Sequence, residues 1–335
     1  MEKNATGSGA NKSLLKLITP YKNPSLKSSI WQIINTLLPY VILWIALSYA
    51  IEQSFWLVLP LSILAAGFLV RLFIIFHDCG HGAFFESKTV SDIFGVVFGI
   101  LTFTPYHRWH HAHLIHHRTA GNLDKRGIGD IWTMTVEEFK QSSPRQKLYY
   151  RIYRNPFILL GIGAPLIFLI VNRFTSKEFT KRDRISVYIT NLGIVAIAFG
   201  MSYLIGFTNY LIIQLLIVYM ASAAGVFLFY VQHQFPDVHW YRDESWDYST
   251  VAIQGASYLK LPKVLQWFSG NIGFHHIHHL SSKIPNYNLE KCLNENEPFQ
   301  KVKAVTLKSA ILSLKLRLWD ENQQQLVTYK QAEVL

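Results

Sequence analysis

The sequence predicts an all-α integral membrane protein with four membrane-spanning helices arranged as two hairpins. Half of the 335 residues are hydrophobic, yet the formal net charge is +11. The apolar residues fall in long blocks and the charges fall between them, which is typical of a membrane protein with basic cytoplasmic loops. All 14 histidines follow the second or the fourth of these blocks. The same distribution argues against a nucleic-acid-binding protein, whose basic residues would form a soluble surface.

Four apolar stretches are long enough to cross the hydrocarbon core, which requires about 20 mostly apolar residues. The first pair is joined by a short turn at Glu52 and Gln53, and the second pair is joined near Gly206–Asn209. Neither turn contains Lys or Arg, so both are expected to face outward. The predicted spans are residues 33–51, 55–76, 187–205 and 210–231.

Two shorter apolar runs lie on the other side of the membrane from these turns. Ile93–Phe103 is too short to span the hydrocarbon core. Pro156–Val171 is of borderline length, contains glycines and a proline at its middle, and has basic residues on both flanks. Because basic flanks favour the cytoplasm, this run is expected to dip into the membrane and return, or to lie at its interface. A true fifth span is the alternative.

The charge distribution also predicts orientation and organisation. The start of the chain, the region between the two hairpins and everything after Gln232 are rich in Lys and Arg, so they are expected to be cytoplasmic. Residues 1–30 are then a cytoplasmic N-terminal tail, 31–318 a membrane domain and 319–335 a cytoplasmic C-terminal tail. The polar start has no signal-peptide core. Cys79 and Cys292 are the only cysteines, so no disulfide framework is implied.

Twelve of the histidines form three clusters, and a further one lies at the end of the fourth span. Residues four apart lie on one face of a helix, so paired imidazoles can point at a common site. The second cluster is ambiguous, because it contains the pattern His-x-x-His-His twice in succession. The clusters are His77 and His81; His107, His110, His111, His113, His116 and His117; and His275, His276, His278 and His279, with His233 alone.

A single pair of histidines is more often chance than a metal site, but three clusters on one side of a membrane are not explained by packing. A catalytic zinc ion uses three protein ligands plus water, so this number of histidines indicates two ions. The zinc-protease pattern His-Glu-x-x-His is absent, as is the Glu-x-x-His pair of soluble di-iron proteins. Imidazole suits iron. The sequence therefore predicts a di-iron site, held by a cytoplasmic helical cap together with the interfacial or re-entrant helices.

These clusters, their spacing and the pattern of spans resemble the membrane fatty acid desaturase superfamily. The resemblance runs from about Leu37 to Leu318 and includes Thr119–Asp124, Gly129–Trp132 and Ile284–Asn288. Within the superfamily the chain is most similar to the Δ12-like acyl-lipid branch. Its strongest likeness there is to the cold-inducible Δ5 phospholipid desaturases of Gram-positive bacteria, notably at Tyr153–Phe157, Asn172–Phe174 and Arg317–Asp320.

The resemblance implies which histidines are ligands. In this family a Trp precedes the second cluster's box by four positions and a Thr-Gly type stretch follows it, so Trp109 and Thr119–Asp124 select the second of the two frames. The implied ligands are His77, His81, His113, His116, His117, His233, His275, His278 and His279. The residues expected around them are Asp78, His107, His110, His111, Asp124, Asp130 and His276, with Asp237 as a further carboxylate. Cys79 is expected to be a small packing residue.

The resemblance implies an O₂-dependent desaturase that acts on acyl chains of membrane phospholipids in the plasma membrane. Two iron ions and O₂ would remove hydrogen from two adjacent carbons, and two external electrons would come from a soluble donor, ferredoxin or flavodoxin. The expected product is a cis double bond at carbon 5, with Δ10 or Δ12 placement as the main alternative. A hydroxylase on the same scaffold is a rival reaction. A metal-binding transporter or sensor is a rival class, although it would need a polar path through the spans.

Overall fold

The computed structural model describes residues 14–334, so the first thirteen residues of the predicted N-terminal tail lie outside the described part. Within that part, five helical segments are long and apolar enough to cross a membrane. Four of them contain the four predicted spans, which confirms the predicted all-α membrane fold. The five segments are Leu26–Gln53, Phe55–His81, Pro156–Arg173, Lys181–Ile205 and Phe207–His233.

The first hairpin consists of helices α1 (Leu26–Gln53) and α2 (Phe55–His81). Ser54 alone joins them, ending the first helix and capping the N-terminus of the second through its side chain. A helix of 27 residues is about 40 Å long, whereas the hydrocarbon core is about 30 Å thick. The last turns of α2 therefore extend beyond the hydrocarbon, and these turns carry His77 and His81.

The next two helices, α3 (Lys88–Leu101) and α4 (Tyr106–Thr119), meet at a bend of 102°. Phe103 lies at the bend with φ of 56°, a left-handed conformation that is uncommon for a residue other than glycine. Helix α3 has 14 residues, about 21 Å, and is too short to span the hydrocarbon by itself. The ring of Tyr106 occupies the space beside Gly95, where a side chain would clash, and this contact fixes the bend.

The polar segment after α4 forms two short helices, α5 (Val136–Gln141) and α6 (Pro144–Tyr153). Each begins with a capping box, formed by Thr135 with Glu138 and by Ser143 with Gln146. In a capping box the two side chains satisfy backbone N–H groups that have no partner within the helix. These caps let two helices start within ten residues of polar sequence.

The segment 156–173 is a broken helix. It consists of α7 (Pro156–Ile158), a π turn (Leu159–Gly163), α8 (Ala164–Leu169) and a 3₁₀ turn (Val171–Arg173).

Contacts at its two ends place both of them on the histidine side of the protein. At the start, the Arg154 guanidinium donates to Gln234 Oε1 over 2.9 Å, directly after the ligand candidate His233. At the end, Asn172 Oδ1 accepts a hydrogen bond from Arg108 Nη1 over 2.7 Å. Arg108 belongs to α4, the helix that carries the second histidine cluster. This segment is long enough to span a membrane. Because both of its ends contact the histidine side, its contacts agree with a segment that enters the membrane layer and returns.

The second hairpin consists of helices α9 (Lys181–Ile205) and α10 (Phe207–His233). Thr180 and Asp183 form the capping box that starts α9. Gly206, with φ of 82°, is the single connecting residue, and only glycine adopts this conformation readily. Helix α10 packs against α2, so the C-terminal ends of both helices lie side by side on the histidine side.

After α10 the chain forms a cap of short elements. The helices are α11 (Tyr248–Gln254), α12 (Lys263–Phe268), α13 (His275–Leu280), α14 (Asn286–Glu295), α15 (Glu297–Gln300), α16 (Leu307–Ser313) and α17 (Tyr329–Val334), with a 3₁₀ turn at Asp243–Ser245. The strands are β1 (Met134–Thr135), β2 (Tyr258–Lys260), β3 (Ala304–Thr306), β4 (Leu318–Asp320) and β5 (Gln325–Val327). β1 pairs in parallel with β4, β4 antiparallel with β5, and β2 in parallel with β3.

Both predicted tails include residues that pack against this cap. Trp319 is fully buried in β4, which the sequence analysis assigned to a tail beginning at residue 319. Near the other end of the chain, the Tyr21 hydroxyl donates to a Glu295 carboxylate oxygen over 2.7 Å. The two ends of the described chain are therefore held on the same side as the histidines.

Candidate metal centre

Four elements bring nine histidines together at the boundary between the spans and the cap. The ends of α2 and α10 contribute from the spans, α4 contributes from the bent pair, and α13 contributes from the cap. None of the nine side chains is more than 9% exposed. They are the nine histidines that the resemblance implied as ligands, namely His77, His81, His113, His116, His117, His233, His275, His278 and His279.

The nine histidines divide into two groups, and within each group the potential ligand atoms lie within 4.8 Å of one another. We call them site A (His77, His81, His113, His117 and His278) and site B (His116, His233, His275 and His279). Helical periodicity explains the division. Each pair spaced by four residues falls in one site, because positions i and i+4 share a face. The remaining histidine of α4 and of α13 faces the other site.

The distances between imidazole nitrogens fit a bound metal ion. In site B, His233 Nε2 lies 3.1 Å from His116 Nε2 and 3.0 Å from His275 Nε2. His116 Nδ1 lies 2.5 Å from Asp130 Oδ1 and His233 Nδ1 lies 3.2 Å from Gly255 O, so each Nδ1 carries the hydrogen and each Nε2 a lone pair. Facing lone pairs at this distance repel one another unless a cation lies between them.

The same spacing indicates the coordination geometry. With metal–nitrogen bonds of about 2.1 Å, ligands at right angles are about 3.0 Å apart, whereas tetrahedral ligands are about 3.4 Å apart. In site A, His117 Nε2 lies 3.1 Å from both His113 Nε2 and His278 Nε2. The buried His81 Nε2 has no hydrogen-bond partner within the described residues, as expected for a ligand atom. Both sites therefore suit ions with more than four ligand positions better than a tetrahedral zinc ion.

Two of the carboxylates named in the sequence analysis, Asp78 and Asp130, contact ligand candidates. Asp78 Oδ1 lies 2.9 Å from His77 Nδ1, while Asp78 Oδ2 accepts hydrogen bonds from the backbone and the side chain of Asn286. Asp130 contacts His116 in site B. A carboxylate on the second ring nitrogen fixes the tautomer and raises the basicity of the ligand nitrogen. The sequence analysis missed Asn286, although it lies in the Ile284–Asn288 stretch.

The other expected neighbours lie outside both sites. Asp124 forms an ion pair with Arg242 and Asp237 forms one with Lys303, and both acids are at the surface. Cys79, in α2, is buried in the apolar core, as expected for a packing residue. The remaining five histidines are also outside the sites: His107, His110, His111, His239 and His276.

Three of these histidines have distinct local environments. The His111 side chain is 49% exposed and its Nδ1 lies 3.0 Å from Asp183 Oδ2. His276 is fully buried beside Tyr258, and burial lowers its pKa to about 4. Burial likewise lowers the pKa of His110 to about 4. Both rings are therefore neutral at physiological pH.

An apolar cavity of about 260 Å³ lies between α2, α4, α8 and α10. Ligands of both sites form part of its wall, namely His77 and His113 of site A and His275 of site B. Leu69 also lines it, eight residues before His77 on the same helix, which corresponds to about 12 Å along the axis. The cavity therefore extends from the two sites into the layer of the spans.

Comparison with known proteins identifies the class to which this arrangement belongs. The model of the fatty acid desaturase family matches residues 54–307, which is most of the chain. The chain belongs to this family, and it is accordingly a desaturase and an oxidoreductase.

Among individual proteins, the chain is 47% identical to a fatty acid desaturase of Bacillus subtilis, over 95% of this chain and 91% of that protein. It is 28% identical to an sn-1 oleoyl-lipid 12-desaturase of Synechocystis, over 70% of this chain and 67% of the relative. It is also 28% identical to an sn-1 acyl-lipid omega-3 desaturase (ferredoxin) of Nostoc, over 77% of this chain and 73% of the relative.

Proposed function

We propose that the protein is an acyl-lipid desaturase that introduces a cis double bond at carbon 5 of saturated chains esterified in membrane phospholipids. The observation that carries this proposal is the apolar cavity, whose wall includes ligand candidates of both sites. A bound acyl chain in this cavity would pass beside both sites, while its walls exclude water.

The nine histidines of sites A and B are proposed to hold two iron ions, one in each site. Iron with O₂ supplies the oxidant that a methylene C–H bond requires, since no side chain can oxidise it. Asp78 and Asp130 keep the Nδ1 hydrogens of His77 and His116 in place, so that their Nε2 lone pairs face the sites. The number of ligands and their spacing support iron over zinc.

The cavity walls are proposed to position the chain. Leu69, Val218 and Phe229 are among the apolar residues that would contact methylene groups along its length. The histidines lie where the spans meet the cap. A reacting bond close to the head group would therefore reach them with only a few carbons between the head group and the two sites. The longer methyl-side part would then occupy the cavity towards Leu69. This geometry supports carbon 5.

The alternative position is carbon 10 or 12, and the relatives give it support. The Synechocystis relative acts on position 12 according to its name, whereas the Bacillus subtilis relative is named only as a fatty acid desaturase. A small change in cavity depth moves the reacting bond without changing any histidine. Hydroxylation on the same scaffold is the remaining rival reaction.

We further propose that residues 31–318 form the desaturase domain and that the protein lies in the plasma membrane with both termini and the histidine side in the cytoplasm. The support is the excess of Lys and Arg in every segment on that side and their absence from the turns at residues 52–54 and 206–209. A soluble ferredoxin or flavodoxin would then supply the two electrons.

Expression in a bacterium that makes only saturated lipids, followed by mass spectrometry of double-bond position, tests the proposal. We expect a cis bond at carbon 5 of phospholipid chains, with close to two irons per purified chain. Unsaturation at carbon 10 or 12 alone would contradict the position, and hydroxylated chains would contradict desaturation.

A matched pair of variants tests whether the cavity holds the chain. Gly225 lines the cavity, and a Cβ there would meet no atom within 4 Å. Gly200 has the same free space but lies on the exposed face of α9. Overpacking a filled site costs about 1–3 kcal/mol, so we expect Gly225→Leu to lower product yield about fivefold or more at unchanged iron content. Gly200→Leu should behave as wild type, and equal yields from both variants would contradict the assignment.

A further inference from the structure

Two arginines hold the end of the broken helix against the bend between α3 and α4. Arg108 Nη1 donates to Asn172 Oδ1 over 2.7 Å, and Asn172 Nδ2 donates to Phe103 O over 3.3 Å. The Arg173 guanidinium donates to the same Phe103 carbonyl and, over 2.9 Å, to Asn191 Oδ1 of α9. Both guanidinium groups therefore lie at one corner of the fold, where the 3₁₀ turn 171–173 meets α3, α4 and α9.

This corner borders the apolar cavity. Asn172 and Thr102 line the cavity, as does Trp109, which follows Arg108 in the chain. Arg108 precedes His113 of site A by five residues, about 7.5 Å along the axis of α4. A group bound by Arg108 would therefore lie beside the cavity and close to site A.

Neither guanidinium has an acidic partner. Within residues 14–334, Arg108 and Arg173 form no ion pair with a carboxylate, and the buried Nε of Arg173 has no hydrogen-bond partner. The nearby acids are engaged elsewhere. Asp183 caps α9 and contacts a histidine of α4, while Asp92 pairs with two other basic residues. The positive charge of the two arginines is therefore not balanced by the protein.

The chain around the corner is basic as well. Residues 171–184 contain five basic and two acidic side chains, the start of α4 adds Arg108, and α3 adds one residue of each sign. In residues 171–184 the basic residues are Arg173, Lys177, Lys181, Arg182 and Arg184, and the acidic residues are Glu178 and Asp183. Basic pockets between membrane helices attract the anionic head groups of lipids.

The depth of Arg173 gives a second reason to expect an anion. Asn191 Nδ2 donates to Arg173 O over 2.8 Å, so the two residues lie at the same level. Asn191 is 14 residues from the outer end of α9 at Ile205, about 21 Å along the axis, whereas the hydrocarbon core is about 30 Å thick. The Arg173 backbone thus lies inside the histidine-side boundary of the hydrocarbon. A charge at this depth is costly without a counter-charge, and such residues commonly mark a substrate path.

We propose that Arg108 and Arg173 bind the phosphate of the phospholipid whose acyl chain occupies the cavity. A guanidinium presents several N–H donors in a plane that matches phosphate oxygens, and a phosphate oxygen is the kind of acceptor that Arg173 Nε lacks. This inference rests on the proposed function, because it names the residues that hold the head group of the same lipid. Binding here selects lipids with a phosphate over uncharged glycerolipids, and it places the first carbons of the chain beside site A.

Native mass spectrometry of lipid binding to the purified full-length protein tests the site. The two probes are dipalmitoyl phosphatidylglycerol and dipalmitoyl monogalactosyldiacylglycerol, which have the same chains but differ in the phosphate. We expect wild type to prefer phosphatidylglycerol about tenfold, as charge-assisted hydrogen bonds would give, and Arg108→Gln and Arg173→Gln to lose most of this preference. Because both lipids compete in one sample, partial unfolding of a variant does not change the ratio.

Arg182→Gln is the matched control, because Arg182 is exposed, pairs with Asp92 and carries the same charge. It should keep the wild-type ratio, and Arg108→Lys should keep more of the preference than Arg108→Gln because a lysine still attracts phosphate. A wild-type ratio in both glutamine variants, or an equal loss in Arg182→Gln, would overturn the site. Palmitoyl-coenzyme A, a phosphate-bearing ester outside the lipid class, should not displace phosphatidylglycerol. Displacement that Arg173→Gln abolishes would assign the site to that thioester instead.

A turnover experiment with the same two lipids and a chemical reductant gives the second readout. We expect Arg173→Gln to lower desaturation of phosphatidylglycerol about tenfold and to leave desaturation of the galactolipid at the wild-type level. Equal losses on both lipids would contradict a role in binding the phosphate. Failure of the proposed function is distinguishable, since wild type would then form no double bond in either lipid while the binding ratio would still report on the arginines.

Discussion

The two halves of helix α4 carry the same histidine pattern and have different surroundings. His-x-x-His-His occurs first at residues 107–111 and again at 113–117. A shift of six residues along an α-helix rotates a side chain by about 600°, so the two sets point about 120° apart. Both sets therefore cannot face one centre, even though they differ little in sequence.

The structure shows which half faces the centre and why. In the second half, His113, His116 and His117 are buried and contribute to sites A and B. In the first half, His111 is half exposed and bonded to Asp183. The Trp109 ring stacks on His113 at 4.4 Å, which gives a physical reason for a Trp four positions before the box. The histidine pattern therefore provides the ligand chemistry, while the side chains packed around α4 decide which imidazoles point towards the centre.

The largest expected effect separates the two halves. His116→Ala removes a ligand candidate of site B whose two ring nitrogens both contact other groups, so we expect loss of iron from that site and no detectable desaturation. His110→Ala, in the first half, should retain both irons and most of the activity. Metal analysis of purified protein and lipid profiling of the expression host measure the two outcomes. Iron loss in His110→Ala with retention in His116→Ala would mean that the first frame holds the ligands.

A smaller effect is expected from the carboxylate that orients the second half. Asp130→Asn removes the negative charge beside His116 Nδ1 but keeps a hydrogen-bonding side chain. Loss of such a partner costs about 10–100-fold in metal affinity. Competition with a chelator measures the metal affinity of the purified variant.

Asp124→Asn is the control for this experiment, because Asp124 pairs with Arg242 and contacts neither site. Its metal affinity should match wild type. Equal affinities in the Asp130 and Asp124 variants would remove the proposed role of Asp130.

Sequence patterns predicted the spans because a span depends only on local composition, whereas the resemblance to the desaturase family implied the nine histidines that the structure brings together. A span needs only a long apolar run, and helices α1, α2, α9 and α10 each contain one. The division into sites A and B was also predictable, since each pair spaced by four shares a site.

The cap was not predicted in detail because its contacts join residues far apart in the chain. β1 pairs with β4 across more than 180 residues, and strands this short give no recognisable alternation. Buried Trp319 was therefore assigned to a tail. The same reason hides Asn286, whose role depends on what the fold places beside it.

Two glycines sharpen the comparison, because each contacts one half of α4. Gly129, with φ of 71°, would place a Cβ 3.1 Å from that of His116, whereas a Cβ at Gly80 would lie 3.4 Å from Trp109. A left-handed conformation costs an alanine about 1–2 kcal/mol. We therefore expect Gly129→Ala to lower the Tm of the iron-loaded protein by several degrees and to weaken iron binding. Gly80→Ala should leave both near wild type, because its Cβ meets ordinary contacts within a helix.

The smallest expected effect concerns His111, in the first half of α4. Its contact with Asp183 is half exposed, and exposed contacts of this kind contribute about 0–1 kcal/mol. Asp183 keeps its capping contacts with Thr180 when the histidine is changed. We therefore expect His111→Gln to change the Tm by no more than about two degrees and to leave iron content and product unchanged. Thermal unfolding in nanodiscs, with metal analysis of the same sample, measures this. Loss of iron in His111→Gln would show that the first half of α4 supports the centre, and the distinction between the two halves would fail.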